Sequence, residues 1–264
     1  MRPFLRSAAL LVALLPALAH GESSSVFVED LTWPEVRAAI AGGKTTAIYY
    51  AGSTEQNGPH MALGKHNFIA RHLADRIARE LGNALVYPTM PYAPTGDRME
   101  KTEHMRFPGT VTVSDETFGT VAREVALSAL SAGFRTVVLM GDHGGGQDAL
   151  ARTAAELDRD GAPKGVHVYY VGDAYARAQQ RIDDYLVRHG LTPDLHAGID
   201  DTSELMFLDP GQKWVRRDKL AKDDGTNGVA GDPRKASAQL GKIFLDFKVD
   251  SAVAQIRKLV RNQE

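Results

Sequence analysis

Apolar and polar positions alternate along the chain in two rhythms. Short unbroken apolar runs, Ala47-Ile48-Tyr49-Tyr50, Ala84 to Tyr87, Thr136 to Met140 and Val166 to Val171, have the length and the aromatic or β-branched content of buried strands. Between them, apolar residues recur at helical spacing. Ile69, Leu73, Ile77 and Leu81 stripe a segment from Asn67 that stops at Gly82. Phe118, Val121, Ala122, Val125 and Ala129 line a second helix, which Ser114 caps and Gly133 closes, with Asp115 and Glu116 in its first turn where the helix dipole favours them. A further helix runs through Leu157, and Ala174 to His189 reads as a charged one.

At the two ends the pattern is also helical. Asp30-Leu31-Thr32-Trp33-Pro34 is a capped helix entry, with Trp33 and Val36 to Ile40 supplying the apolar face and Gly42-Gly43 ending it. Gly231-Asp232-Pro233 predicts another start, with Ala236, Leu240, Ile243 and Phe247 as its stripe. A separate last helix would carry Val253, Ile256 and Val260. Strands alternating with helices predict a single α/β domain, from about residue 25 to 264, built on a mostly parallel sheet covered on both faces.

Residues 1–19 change the picture of where the chain works. Arg2 and Arg6 precede the apolar run from Ala8 to Leu15, and Ala17-Leu18-Ala19 follows as a small-x-small site, the layout of a cleavable signal peptide. The expectation is an exported protein, periplasmic in a bacterium, with no stable membrane anchor after cleavage. Removing that segment takes two Arg and no acid, so the formal charge of −2 becomes −4. A mildly acidic chain with no Lys/Arg run argues against a nucleic-acid partner. There are no cysteines, so a metal site would have to use nitrogen and oxygen ligands.

Candidate chemistry gathers in two glycine-bearing loops, each after a buried strand and before a helix. The first, Gly52 to His66, holds Glu55, Gln56, Asn57, His60 and His66; the second is Gly141-Asp142-His143-Gly144-Gly145-Gly146-Gln147. In a parallel sheet both loops open on the same edge, so Glu55, His66 and His143 can converge. One carboxylate with two imidazoles suits zinc or another borderline divalent ion. His66 near a helix N-terminus is expected to stay neutral, as a ligand must. Any one of these histidines alone is more often a surface or hydrogen-bonding residue than a ligand; the convergence is what favours a site. His72 falls on the helix pattern and is expected to be solvated, while His104 has either a structural or a pocket-lining role. Asp142 is expected to orient the neighbouring His143 ring or to face water. Gly144 and Gly145 are expected to let the backbone approach a ligand and to offer N–H groups to a developing oxyanion; Gly144-Gly145-Gly146 lacks the Lys-Ser/Thr of a phosphate loop. Asp200 and Asp201 either cap a helix starting near Thr202 or act with His196 as an acid/base pair or a further ligand.

Several blocks together resemble the creatininase (creatinine amidohydrolase) family: Gly52-Ser53-Thr54-Glu55-Gln56-x-Gly58-Pro59-His60, His104-x-x-Phe107-Pro108-Gly109-Thr110, His143-Gly144-Gly145, His196-Ala197-Gly198 followed by Thr202-Ser203, and Gly228-Val229-x-Gly231-Asp232-Pro233. They occur in the family's order over most of the chain. The resemblance implies a three-layer α/β/α sandwich, commonly assembled as a hexamer, with a two-metal site that hydrolyses cyclic amides and related C–N bonds. It implies metal ligands at Glu55 and His143, a proton-transferring His196, and a contribution from Asp201, where the motif has Glu. Asn57 stands where the family has a ligand His, His66 where it has a bridging Asp, and Gly141 and Gly146 where it has asparagines.

The resulting expectation is a metal-dependent hydrolase of a C–N bond in a small molecule, with cation-activated water and His196 as proton shuttle. One ion, zinc ahead of manganese or iron, is expected on Glu55, His66 and His143, a second being weak or absent. Asn57, His60, His104, Asp142, Gly144 and Gly145 are expected around it, touching substrate or the ligands. The alternative is a non-catalytic binding protein for a small polar ligand; a nucleotide-binding module is weaker for want of a phosphate motif.

Overall fold

A computed structural model describes residues 25–261, so the expected signal peptide lies outside the described residues. The strands are β1 (Thr46–Ala51), β2 (Ala84–Val86), β3 (Thr136–Gly141) and β4 (His167–Tyr170), in the order β2-β1-β3-β4 with every pairing parallel. The helices are α1 (Trp33–Ala41), α2 (Lys65–Leu81), α3 (Asp115–Ala132), α4 (Gln147–Gly161), α5 (Ala176–Arg188), α6 (Ile199–Leu208) and α7 (Ala238–Arg261).

Successive strand side chains point to opposite faces, and here both faces are covered. Ile48, Tyr50, Val86, Val138 and Met140 pack with Ile69, Leu73 and Ile77 of α2 and Leu245, Val249 and Ile256 of α7. Ala47, Tyr49, Leu85, Val137 and Leu139 pack on the other side with Phe118 and Ala122 of α3 and Leu150 and Leu157 of α4. This is the expected three-layer α/β/α arrangement. β1 lies between β2 and β3, so the chain leaves it to one side and returns on the other. The crevice at the carboxyl ends of β1 and β3 is the switch point where such sheets bind ligands.

Four expectations are corrected. The two C-terminal helices are one, α7, preceded by a 3-10 turn at Pro233–Lys235; no Pro or Gly interrupts the chain after Gly241. β4 is an edge strand whose Val168 is fully buried while His167, Tyr169 and Tyr170 stay partly exposed. Trp33 is 71% exposed and lies off any buried face of α1, with Arg37 stacked over its ring. His72 is half-buried against Phe207, not solvated.

Candidate metal centre

The loop after β1 is pinned before it can wander. Glu55 N–H donates to Leu63 O (3.0 Å) and Gln56 N–H to Thr110 Oγ1 (3.0 Å), which turns the Glu55 side chain inward with no solvent exposure. Gly52 is obligatory there, because a Cβ would lie 2.2 Å from Asn67 Oδ1 and 2.9 Å from the α2 backbone. α2 then delivers His66 from its first turn, and the loop after β3 delivers Asp142 and His143.

Both oxygens of Glu55 are engaged by imidazoles. His66 Nε2 is 3.0 Å from Oε1 and His143 Nε2 is 2.7 Å from Oε2, while Ser53 Oγ donates to Oε2 at 3.1 Å. Ligating atoms of Glu55, His66 and His143 all lie within 4.8 Å of one another, and those of Glu55, His104 and His196 form a second such group. Burial alone would raise the Glu55 carboxyl, but His66 and His143 outweigh it and hold it well below the usual carboxylate range.

The ring nitrogens facing away from Glu55 are also placed. His66 Nδ1 is 2.8 Å from Asp142 Oδ2, so the buried Asp142 orients His66, whereas the expectation was that it would orient its neighbour His143 or face water. Burial and Lys65 would lower the His66 pKa, but Glu55 and Asp142 raise it overall, the opposite direction to that expected of a helix N-terminus. Gly145 supplies His143 Nδ1 with an N–H at 3.0 Å and a carbonyl at 3.3 Å, so that either tautomer is served. That N–H is directed at the ring, while the Gly144 N–H has no partner among the described residues. No side chain fits at Gly145, where a Cβ would sit 2.0 Å from Pro94 O.

His196 approaches from the other wall. Its Nε2 is 3.0 Å from the Gln56 carbonyl, leaving Nδ1 facing Glu55 Oε1 at 3.9 Å. Burial and Lys65 push its pKa down to about 3, so the ring is neutral near pH 7. The His104 and His196 ring centroids are 4.4 Å apart with the rings tilted by 44°, and His104 Nδ1 lies 2.9 Å from Gln56 Nε2, which places it beside the cluster. Asp201 is tied to Lys65 Nζ at 2.7 Å and accepts from Ala197 N at 2.8 Å, so it braces the His196 turn.

Two expected residues stand back from the cluster. Asn57 is buried with its Nδ2 donating to Glu55 O (2.9 Å) and Ala62 O (3.3 Å). His60 is buried with Nε2 2.9 Å from Thr202 Oγ1, and burial lowers its pKa to about 4. Four residues that sequence reasoning gave no role complete the surroundings: Gln56, Lys65, Glu204 and Lys248. Lys248 was the findable one, since it interrupts the apolar stripe between Phe244 and Ala252.

One carboxylate and two imidazoles with donor atoms this close fit a borderline divalent ion, and the buried Asp142 behind His66 is the support such ligands carry.

A family profile described as creatininase, creatinine amidohydrolase, matches residues 29–256. The chain belongs to the creatininase family. It is accordingly an amidohydrolase. The chain is 30% identical over 235 residues to the mycofactocin precursor peptide peptidase of Mycolicibacterium smegmatis, covering 78% of this chain and 82% of that one. It is 31% identical over 121 residues to the creatinine amidohydrolase of Pseudomonas putida, 46% of each chain. Among solved structures, a mutant creatininase of zinc-zinc type superimposes with a TM-score of 0.75 at 23% identity, over 89% of this chain and 98% of that one.

Proposed function

We propose that this creatininase-family enzyme hydrolyses an amide C–N bond in a small molecule, a cyclic amide or a short peptide, with one divalent cation held by Glu55, His66 and His143. The observation that carries the reading is the Glu55 carboxylate flanked at both oxygens by buried imidazoles. When bound, the cation supplies Lewis-acid polarisation of the substrate carbonyl and lowers the pKa of water toward neutrality.

The chain's own residues do the rest. Asp142 holds the His66 ring with its proton on Nδ1 and its Nε2 toward Glu55. His196, whose Nε2 lies 3.0 Å from both the Gln56 carbonyl and the Gln56 side-chain amide and whose Nδ1 faces Glu55, takes a proton at Nδ1 and returns it to the leaving nitrogen. Asp201 and Lys65 anchor the turn that carries it. The Gly144 N–H, with Gly145 committed to His143, is the loop's donor for a developing oxyanion.

The test is turnover of creatinine, other small lactams and dipeptides by protein purified without chelator, alongside its metal content. Turnover that chelator abolishes and zinc restores supports the reading. Less than about a tenth of an equivalent of metal, or tight ligand binding with no turnover and no response to chelator, overturns it.

A further inference from the structure

The C-terminal helix reaches the candidate metal centre through one side chain. The inner face of α7 is apolar, with Phe244, Leu245, Val249, Ala252 and Ile256 buried, yet Lys248 sits buried in the middle of it. A lysine there loses its hydration and remains charged only beside anions. Its Nζ lies 2.6 Å from Glu204 Oε2 and 3.2 Å from Asp142 Oδ1. The other oxygen of Asp142 faces His66 Nδ1 at 2.8 Å, and His66 Nε2 faces Glu55 at 3.0 Å. An unbroken line of short polar contacts therefore runs from Glu204 on α6, through Lys248 on α7 and Asp142 after β3, to His66 and Glu55.

The reach of Lys248 is set by backbone packing. Gly241, about two turns earlier on the same face of α7, lies so close to α6 that a Cβ would sit 1.9 Å from Ser203 O. That contact fixes where α7 crosses α6 and hence where Lys248 meets Glu204. Asp142 is then held at both oxygens, one by a point charge and one by a ring N–H. A carboxylate held twice cannot rotate freely, so the His66 ring it binds is fixed in direction and in tautomer.

We propose that Lys248, itself fixed by Glu204, is a positioning residue for the metal centre: it clamps Asp142 so that His66 presents Nε2 to the cation. This inference rests on the metal reading above. It differs from simple charge neutralisation, which any change that keeps the buried charge balanced would satisfy.

The test is zinc affinity by competition with a chromophoric chelator, with melting temperature and near-ultraviolet circular dichroism as the record of the fold. The double variant Lys248→Met/Glu204→Leu removes one charge of each sign, and an apolar replacement of a buried pair is often neutral for stability. It is expected to keep the fold and to bind zinc about 10- to 100-fold more weakly, the usual effect of removing a ligand's support, whereas Glu204→Gln alone changes affinity less than about threefold. Wild-type affinity in a folded double variant overturns the proposal and leaves the metal reading standing. A wild-type protein that takes up no zinc overturns both. Nitrogen-15 NMR of the histidines in the zinc-loaded wild type requires no variant: His66 protonated at Nδ1 and ligated through Nε2 supports the clamp, and ligation through Nδ1 overturns it.

Discussion

Glu55→Gln is the most informative single change, because this carboxylate is the one group that both imidazoles address. In the metal-free protein the carboxylate accepts from Ser53 Oγ and pairs with His66 and His143 at 3.0 and 2.7 Å. Hydrogen bonds to a charged group contribute about 1.5–3 kcal/mol and neutral ones about 1 kcal/mol, so exchanging the two imidazole contacts for neutral ones costs about 1–4 kcal/mol. The larger effect is on metal. At a free zinc concentration a hundredfold above its dissociation constant, binding to the native state adds about 2.7 kcal/mol. For a chain of this size each kcal/mol moves the melting temperature by about 2–4 °C, so zinc should raise it by about 5–11 °C in the wild type. The assay is a thermal-shift titration of both proteins with zinc, after exhaustive chelation. The wild type should show that rise and Glu55→Gln none, from a starting temperature a few degrees lower. A variant that retains the zinc-dependent rise would refute the reasoning, since the cation would then be held by other groups.

Other predictions follow from single contacts. His196→Ala should lower kcat by about 10²–10⁴-fold with zinc affinity unchanged, read by steady-state kinetics beside the chelator competition; an equal loss of zinc affinity would make His196 a ligand instead. His60 has a folded pKa of about 4, below the unfolded value of about 6.5, so the unfolded state binds more protons between them. Stability should therefore fall as pH drops through that window, by up to about 3 kcal/mol, and urea melts of His60→Gln should show a flatter decline. Gly145→Ala forces a Cβ against Pro94 O and should cost about 1–3 kcal/mol while weakening zinc binding through the displaced His143, measured by the same melts and competition.

Much of this was legible from local pattern. β1, β3 and α2 announce themselves because a parallel strand buried on both faces is an apolar run and a helix packed on it is a stripe. Their order along the chain is enough to bring Glu55, His66 and His143 to one edge of the sheet. What local pattern could not supply was the partner of each polar group. Asp142 is adjacent to His143 in sequence but bonds His66, because after the last residue of β3 the chain bends and its side chain faces α2. Lys248 lies on the last helix, and only the packing of α7 on α6 shows that it ends at Asp142. The division of α7 into two helices failed for a related reason: the stripe ending at Phe247 and the one starting at Val253 lie on one uninterrupted helix, with Lys248 and Ser251 buried between them.

The central claim is that a single cation sits among Glu55, His66 and His143. Crystals of the zinc-loaded protein, measured on both sides of the zinc absorption edge, locate the ion directly. One anomalous peak within coordination distance of Glu55, His66 Nε2 and His143 Nε2 is the predicted result; a peak between His104 and His196 with none beside His66 and His143 would contradict it.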